Sequence, residues 1–169
     1  MKLTKLEEQG LRLTMALART GGQMTLPELS EEEHLSEALV AKVLGKLRVG
    51  GVVNASRGRN GGYELVAPPE RTAVSAVMRA LGRPLVEGCF NEEHHDDACC
   101  PHKSGCSLRP VWETLEEKVT EILTQVTLAD LIRRESDVRL RLAEIEKRDK
   151  SPAKTARKPA ARSGCNDKS

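Results

Sequence analysis

The strongest constraint on this chain is an apolar stripe with an abrupt end. Val40, Val43, Leu44 and Leu47 recur at i, i+3, i+4 and i+7, the spacing of one buried face on an α-helix. Gly50-Gly51 stops that helix. Beyond it, Val52–Ser56 and Tyr63–Val66 read as strands joined by Arg57-Gly58-Arg59-Asn60-Gly61-Gly62, where Asn-Gly and Gly-Gly supply positive φ cheaply. Upstream, Thr4-Lys5-Leu6-Glu7 and Thr25-Leu26-Pro27-Glu28 are capping-box patterns. The first opens a helix to about Ala18 with Leu6, Leu13 and Leu17 on one face. The second opens a short helix to about Glu33. Ser36 can cap the third helix. Three helices followed by a two-stranded hairpin is the order of a winged helix-turn-helix, so the expected fold is mainly α with a two-stranded wing.

Further along, Thr72 is placed to cap a helix carrying Val74, Val77, Met78 and Leu81. Residues 83–107 have no helical or strand pattern. Ser107 and Pro110 start a long helix with Val111, Leu115, Val119, Ile122 and Val126 on one face. Thr127 caps a further helical stretch to about Lys147. The expected organisation is a winged domain over 1–82, a cysteine loop over 83–107, helices over 108–148 and a basic tail over 149–169. The tail holds no apolar residue larger than Ala apart from Cys165, so it is expected to be disordered.

Charge is unevenly distributed. The 169 residues sum to +2, which looks small for a nucleic-acid binder. Yet residues 147–169 hold eight bases and two acids, leaving −4 for residues 1–146. Glu28, Glu31, Glu32, Glu33 and Glu37 form an acidic block. Lys42, Lys46, Arg48, Arg57 and Arg59 follow with no acid between them. A helix entering a major groove needs small or polar residues outward, and Ala38, Ala41, Lys42, Gly45 and Lys46 meet that need, with Ser36 at the start of the same candidate surface. Lys42, Lys46 and Arg48 suit phosphates, while Arg57 and Arg59 at a hairpin tip suit a minor groove or phosphates. The alternative is an ordinary helical core whose exposed face happens to be basic. The tail adds non-specific, salt-sensitive attraction to DNA.

Cys89, Cys99, Cys100 and Cys106 fall within 18 residues, and Cys165 stands alone in the tail. An odd count without a secretion signal argues against a disulfide framework, and the Cys-x2–4-Cys pairs of a zinc site are absent. Cluster binding, thiol redox switching and inert thiols all fit the spacing. His94, His95 and His102 are candidate ligands, each more commonly a solvated loop histidine. Cys165 reads as a bystander and Trp112 as packing. No apolar run approaches the roughly 18 residues of a membrane span and the N-terminus lacks a signal-peptide core, so a cytoplasmic location is expected. No nucleophile–base pair, phosphate loop or paired carboxylates point to an enzyme.

Arg57-Gly58-Arg59-Asn60-Gly61-Gly62-Tyr63-Glu64-Leu65 resembles the wing motif Arg-Gly-x-x-Gly-Gly-Tyr-x-Leu of the Rrf2 family of bacterial transcription regulators. Met1-Lys2-Leu3-Thr4-Lys5 looks like the family's start and Lys46–Val53 like the end of its recognition helix. Cys100-x5-Cys106, Trp112 and Thr127-Leu128-Ala129-Asp130-Leu131 look like its cluster loop and dimerisation helix. The resemblance covers about residues 1–134. It implies a homodimer, seamed through the long helix, that binds promoter DNA under control of a 2Fe–2S or 4Fe–4S cluster. It implies Cys89, Cys100 and Cys106 as ligands, Cys99 as the alternative to Cys100, and the partner subunit's Glu8 as fourth ligand. Arg109 stands where some members carry a ligand histidine, so that mode is not expected. The expected function is a dimeric regulator, a repressor in sign, sensing nitric oxide, redox state or iron–sulfur status. It would have no membrane partner and no small-molecule substrate. The alternatives are a cluster-free thiol sensor of the same fold and an iron–sulfur electron-transfer or assembly protein.

Overall fold

The computed structural model describes residues 4–58, 61–82 and 107–150. Three helices come first: α1 (Lys5–Thr20), α2 (Leu26–Glu33) and α3 (Glu37–Val49). Strands β1 (Val53–Ser56) and β2 (Gly62–Leu65) follow, then a 3-10 turn (Pro69–Arg71) and α4 (Val74–Ala80). After residues 83–106 come α5 (Arg109–Gln125), α6 (Leu128–Leu131) and α7 (Glu135–Lys150). The winged helix-turn-helix order expected from sequence is present.

Both expected capping boxes form. Thr4 Oγ1 accepts from the Glu7 amide at 3.3 Å and Glu7 Oε2 accepts from the Thr4 amide at 2.6 Å. Thr25 and Glu28 repeat the arrangement on α2. There the Thr25 amide, then its hydroxyl, donate to the Glu28 carboxylate and hold its pKa below the ordinary glutamate value. A depressed carboxyl pKa contributes stability above its unfolded value, and that contribution is lost as pH falls through the folded value. Carboxyl-detected NMR should therefore show Glu28 titrating below an ordinary glutamate, and Thr25→Ala should return it toward the ordinary value.

Two expected caps are corrected. Ser36 occupies the N-cap of α3, but its side chain makes no capping bond. Thr72 is not the cap of α4; Ala73 is, again without a side-chain bond. The Thr72 hydroxyl instead donates to the carbonyls of Ala67 and Pro68 at 3.2 and 3.1 Å. Its own carbonyl is taken by the Leu128 amide at 2.9 Å. The strands also shift by one residue: Val52 precedes β1, and β2 starts at Gly62 rather than Tyr63.

The core is built from α1, α2, α3, β1 and α4. Leu13, Leu17, Leu29, Val40, Val43, Leu44, Leu47, Val53, Val77 and Leu81 are all fully or almost fully buried. Leu128 of α6 is buried in the same cluster, so this core does not stop at residue 82. A second cluster joins Val74 and Met78 to Val126 and Ile145. Burying a large aliphatic side chain is worth about 1.5–3 kcal/mol, which makes the α6–α7 segment part of what holds the winged domain together.

Two expectations for the carboxy-terminal half fail here. Val126 was placed with the exposed stripe of the long helix. The helix ends before it: Val126 is extended (φ −96, ψ 128) and buried, and its carbonyl accepts from the Val74 amide at 2.9 Å. The stretch from Thr127 to Lys147 is also not one helix. It breaks after Leu131, and α7 runs on to Lys150. A continuous helix would carry Ile145 roughly 25 Å along the axis from Leu128. The break lets Ile145 fold back onto Val74 and Met78 instead. Arg141 fixes the return, its guanidinium 3.8 Å from Asp130 Oδ2 and donating to the Gln125 carbonyl at 3.3 Å.

Candidate nucleic-acid interface

The candidate recognition helix, α3, owes its orientation to its stripe. With Val40, Val43, Leu44 and Leu47 buried, Ala38, Ala41, Lys42 and Arg48 are left exposed, and Gly45 is half-buried between them. The outward face is therefore small in the middle and basic along its length. Ser36, exposed at the N-cap with no capping bond of its own, sits at the amino end of that face. A helix whose exposed side chains are this short can bring its backbone close to base edges.

Lys46 is exposed like Lys42 and Arg48, but it also reaches the end of α4. Its Nζ lies 3.4 Å from the Leu81 carbonyl oxygen at the end of α4. Local pattern carries no sign of that contact, because the two residues are 35 positions apart.

The wing is tied down on both sides. Its strands pair antiparallel, Val53 opposite Leu65 and Ser56 opposite Gly62. Met24, in the turn after α1, adds a rung: its amide donates to the Tyr63 carbonyl at 2.9 Å and its carbonyl accepts from the Tyr63 amide at 2.7 Å. The Gln23 side chain also bonds Ser56. This rung changes the meaning of the glycine pair. Neither Gly61 nor Gly62 has positive φ. A Cβ at Gly62 would sit 2.6 Å from the Met24 carbonyl oxygen, and one at Gly61 would sit 2.6 Å from that of Ser56. The pair is there for close backbone approach rather than for left-handed conformation, which belongs to Gly58 (φ +117).

Arg57 follows β1 directly and is exposed. Arg59 lies outside the described residues. The acidic block beside this surface is partly structural. Glu28 is committed to its cap, and Glu33 is buried, with Oε2 accepting from Arg12 Nε at 2.7 Å and its carbonyl from the same guanidinium at 2.9 Å. This α1–α2 staple was not foreseen, since nothing in the local pattern pairs Arg12 with Glu33. Glu31, Glu32 and Glu37 are exposed.

Glu8 is exposed on α1. Cys89, Cys99, Cys100, Cys106, Cys165, His94, His95 and His102 all lie outside the described residues. Among the described residues no group of three or more His, Cys, Asp or Glu is arranged to hold a metal ion. On α5, Val111 and Leu115 are 60% and 39% exposed, with Leu108 and Trp112 beside them, and Val119 and Ile122 are half-buried. No helix among the described residues is long and apolar enough to cross a membrane.

Residues 3–134 match the family of iron-dependent transcriptional regulators designated Rrf2. The chain belongs to the Rrf2 family. An HTH-type transcriptional regulator of Haemophilus influenzae is 31% identical to it over 121 residues, 71% of this chain and 77% of that protein. Two solved Rrf2-type structures are similar at 25% identity. CymR, the global cysteine regulator of B. subtilis, gives a TM-score of 0.62 over 78% of this chain and 96% of its own. T. potens IscR gives 0.58 over 78% and 86%. This Rrf2 protein is thus a DNA-binding transcription regulator, a non-enzymatic role.

Proposed function

We propose that the protein is a cytoplasmic homodimeric repressor whose promoter binding is governed by an iron–sulfur cluster. The observation that carries the cluster is the run of four cysteines between positions 89 and 106, immediately ahead of α5, in a family described as iron-dependent. The donor set suits the group. Three thiolates from Cys89, Cys100 and Cys106, with Cys99 as the alternative to Cys100, are the soft ligands that iron–sulfur clusters take. The partner subunit's Glu8 would complete the set as an oxygen ligand, weaker for iron than thiolate. When bound, the cluster supplies a centre reactive toward oxidants and nitric oxide.

The chain's own residues do the rest. Leu108, Val111, Trp112 and Leu115 offer an apolar stripe for the partner's α5. Two recognition helices joined that way reach successive major grooves about 34 Å apart, so the site is palindromic. Ala38 and Ala41 admit the α3 backbone to the bases, while Lys42 and Arg48 hold phosphates. Arg57→Ala should weaken binding to the gene's own upstream DNA by about 1–3 kcal/mol and relax sequence preference. A loss equal on all duplexes, with a smaller salt dependence, would make Arg57 a phosphate contact.

A second reading has a specific neighbour behind it. CymR is a cysteine regulator of the same fold, and the Cys99-Cys100 doublet is compatible with thiol sensing without a cluster. One preparation separates the two. Anaerobically purified protein should be brown and contain iron and acid-labile sulfide, and Cys106→Ala should be colourless yet folded. Glu8→Ala should keep the colour but lose it faster in air. Colourless, iron-free wild-type protein whose DNA binding still responds to thiol oxidation would establish the cluster-free regulator.

A further inference from the structure

The exit of α4 is where the chain leaves for the cysteine-bearing segment 83–106, and it is held at three points. Leu81 is fully buried against Gly10 of α1, where a Cβ would meet the Leu81 methyl carbons at 2.6 and 2.9 Å. Ala80 lies against Gly50, where a Cβ would come within 2.3 Å of the Ala80 Cβ and 2.6 Å of its Cα. The Leu81 carbonyl oxygen is 3.4 Å from Lys46 Nζ. Gly82, the last described residue before the segment, has φ +81, a conformation that suits glycine.

Two of these three points belong to the recognition helix. Lys46 is in its last turn and Gly50 is its C-cap. An ammonium also suits the carbonyl end of a helix such as α4 electrostatically. A displacement of the root at Gly82 therefore acts on α3 through direct contact, without passing through the wing. Side chains this closely packed tend to shift between discrete arrangements rather than deform smoothly.

We propose that Lys46 and Gly50 are positioning residues that clasp the root of the cysteine segment to the recognition helix. Lys46, although exposed, works against the Leu81 carbonyl rather than on a DNA phosphate. The seating of α3 against α1 then reports the position of the segment's root. This deepens the regulatory reading above by giving the segment a route to the DNA-binding surface. The clasp itself does not depend on which group the cysteines hold.

The test is a double-mutant cycle on the full-length protein. Gly82→Ala strains the root, and Lys46→Met removes the ammonium while keeping the stem. Hydrogen exchange of the peptide Gly45–Val52 is followed in wild type, both single variants and the double variant, without DNA or iron. Gly82→Ala should raise exchange in that peptide about tenfold, and the increase should shrink several-fold in the Lys46→Met background because the two sites are coupled. Lys46→Arg should restore the wild-type response. In parallel, binding to the gene's own upstream DNA is measured against salt. Lys42→Met should reduce the log–log slope by about 1, whereas Lys46→Met should leave it unchanged. Additive exchange effects, or a Lys46→Met slope reduced as for Lys42→Met, would overturn the proposal. Iron-free, colourless protein would sink the cluster reading and leave this result standing, because the exchange arm uses neither iron nor thiol chemistry.

Discussion

Leu44→Ala should lower the unfolding free energy by about 3 kcal/mol and cost specific DNA binding at the same time. Leu44 is fully buried at the middle of the stripe that seats α3. Truncating a buried leucine forfeits its transfer free energy and leaves a cavity, a combined loss of about 2–5 kcal/mol. The loss falls on the recognition helix itself, so α3 should loosen before the rest of the domain. Chemical denaturation followed by circular dichroism gives the first quantity. Hydrogen exchange across Glu37–Val49 gives the second. A variant with wild-type stability would mean that α3 is held mainly by its neighbours on α1 and α4 rather than by its own stripe.

The second large effect is expected at Gly62. A methyl group there would lie 2.6 Å from the Met24 carbonyl oxygen and 2.9 Å from Gln23 Cγ. Backbone cannot yield by that much cheaply. Gly62→Val should therefore break the Met24–Tyr63 rung, detach the wing from the turn after α1 and move Arg57. Specific affinity should fall by about 2 kcal/mol, in the range expected for losing a specific groove contact. The helical signal should stay close to wild type, because the wing contributes only four residues per strand. A gel-shift titration paired with a circular dichroism spectrum is sufficient. Affinity unchanged in Gly62→Val would remove the wing from the DNA-binding surface.

How much of this was legible in the sequence depends on the range of the interaction. The capping boxes at Thr4 and Thr25 and the stripe on α3 are set by residues within a turn or two of each other, and they appear where the local pattern puts them. The misplaced features are those decided from far away. Thr72 gives up its capping role because its carbonyl is claimed by Leu128. Val126 leaves the α5 stripe because the Val74 amide claims it. The break after Leu131 follows from where Ile145 must go. Within the candidate surface, residue types and spacing pointed to Ala38, Ala41, Lys42 and Arg57, which the structure leaves exposed. They could not separate Lys46 from Lys42, since one helical turn of spacing looks alike whether the neighbour is solvent or the end of α4.

The return of the chain at Val126–Leu128 has a consequence for the covalent integrity of the molecule. The described chain before residue 83 and after residue 106 packs into one body, because Leu128 sits in the first core cluster and Val126 and Ile145 complete the second. A single backbone cleavage anywhere in residues 83–106 would nick the protein without dividing it. The two fragments would remain associated through buried aliphatic surface and the paired amides of Val74 and Leu128. The amino-terminal fragment expressed alone would lack one wall of its own interior. The described body is therefore held together across that stretch by packing as well as by the covalent chain.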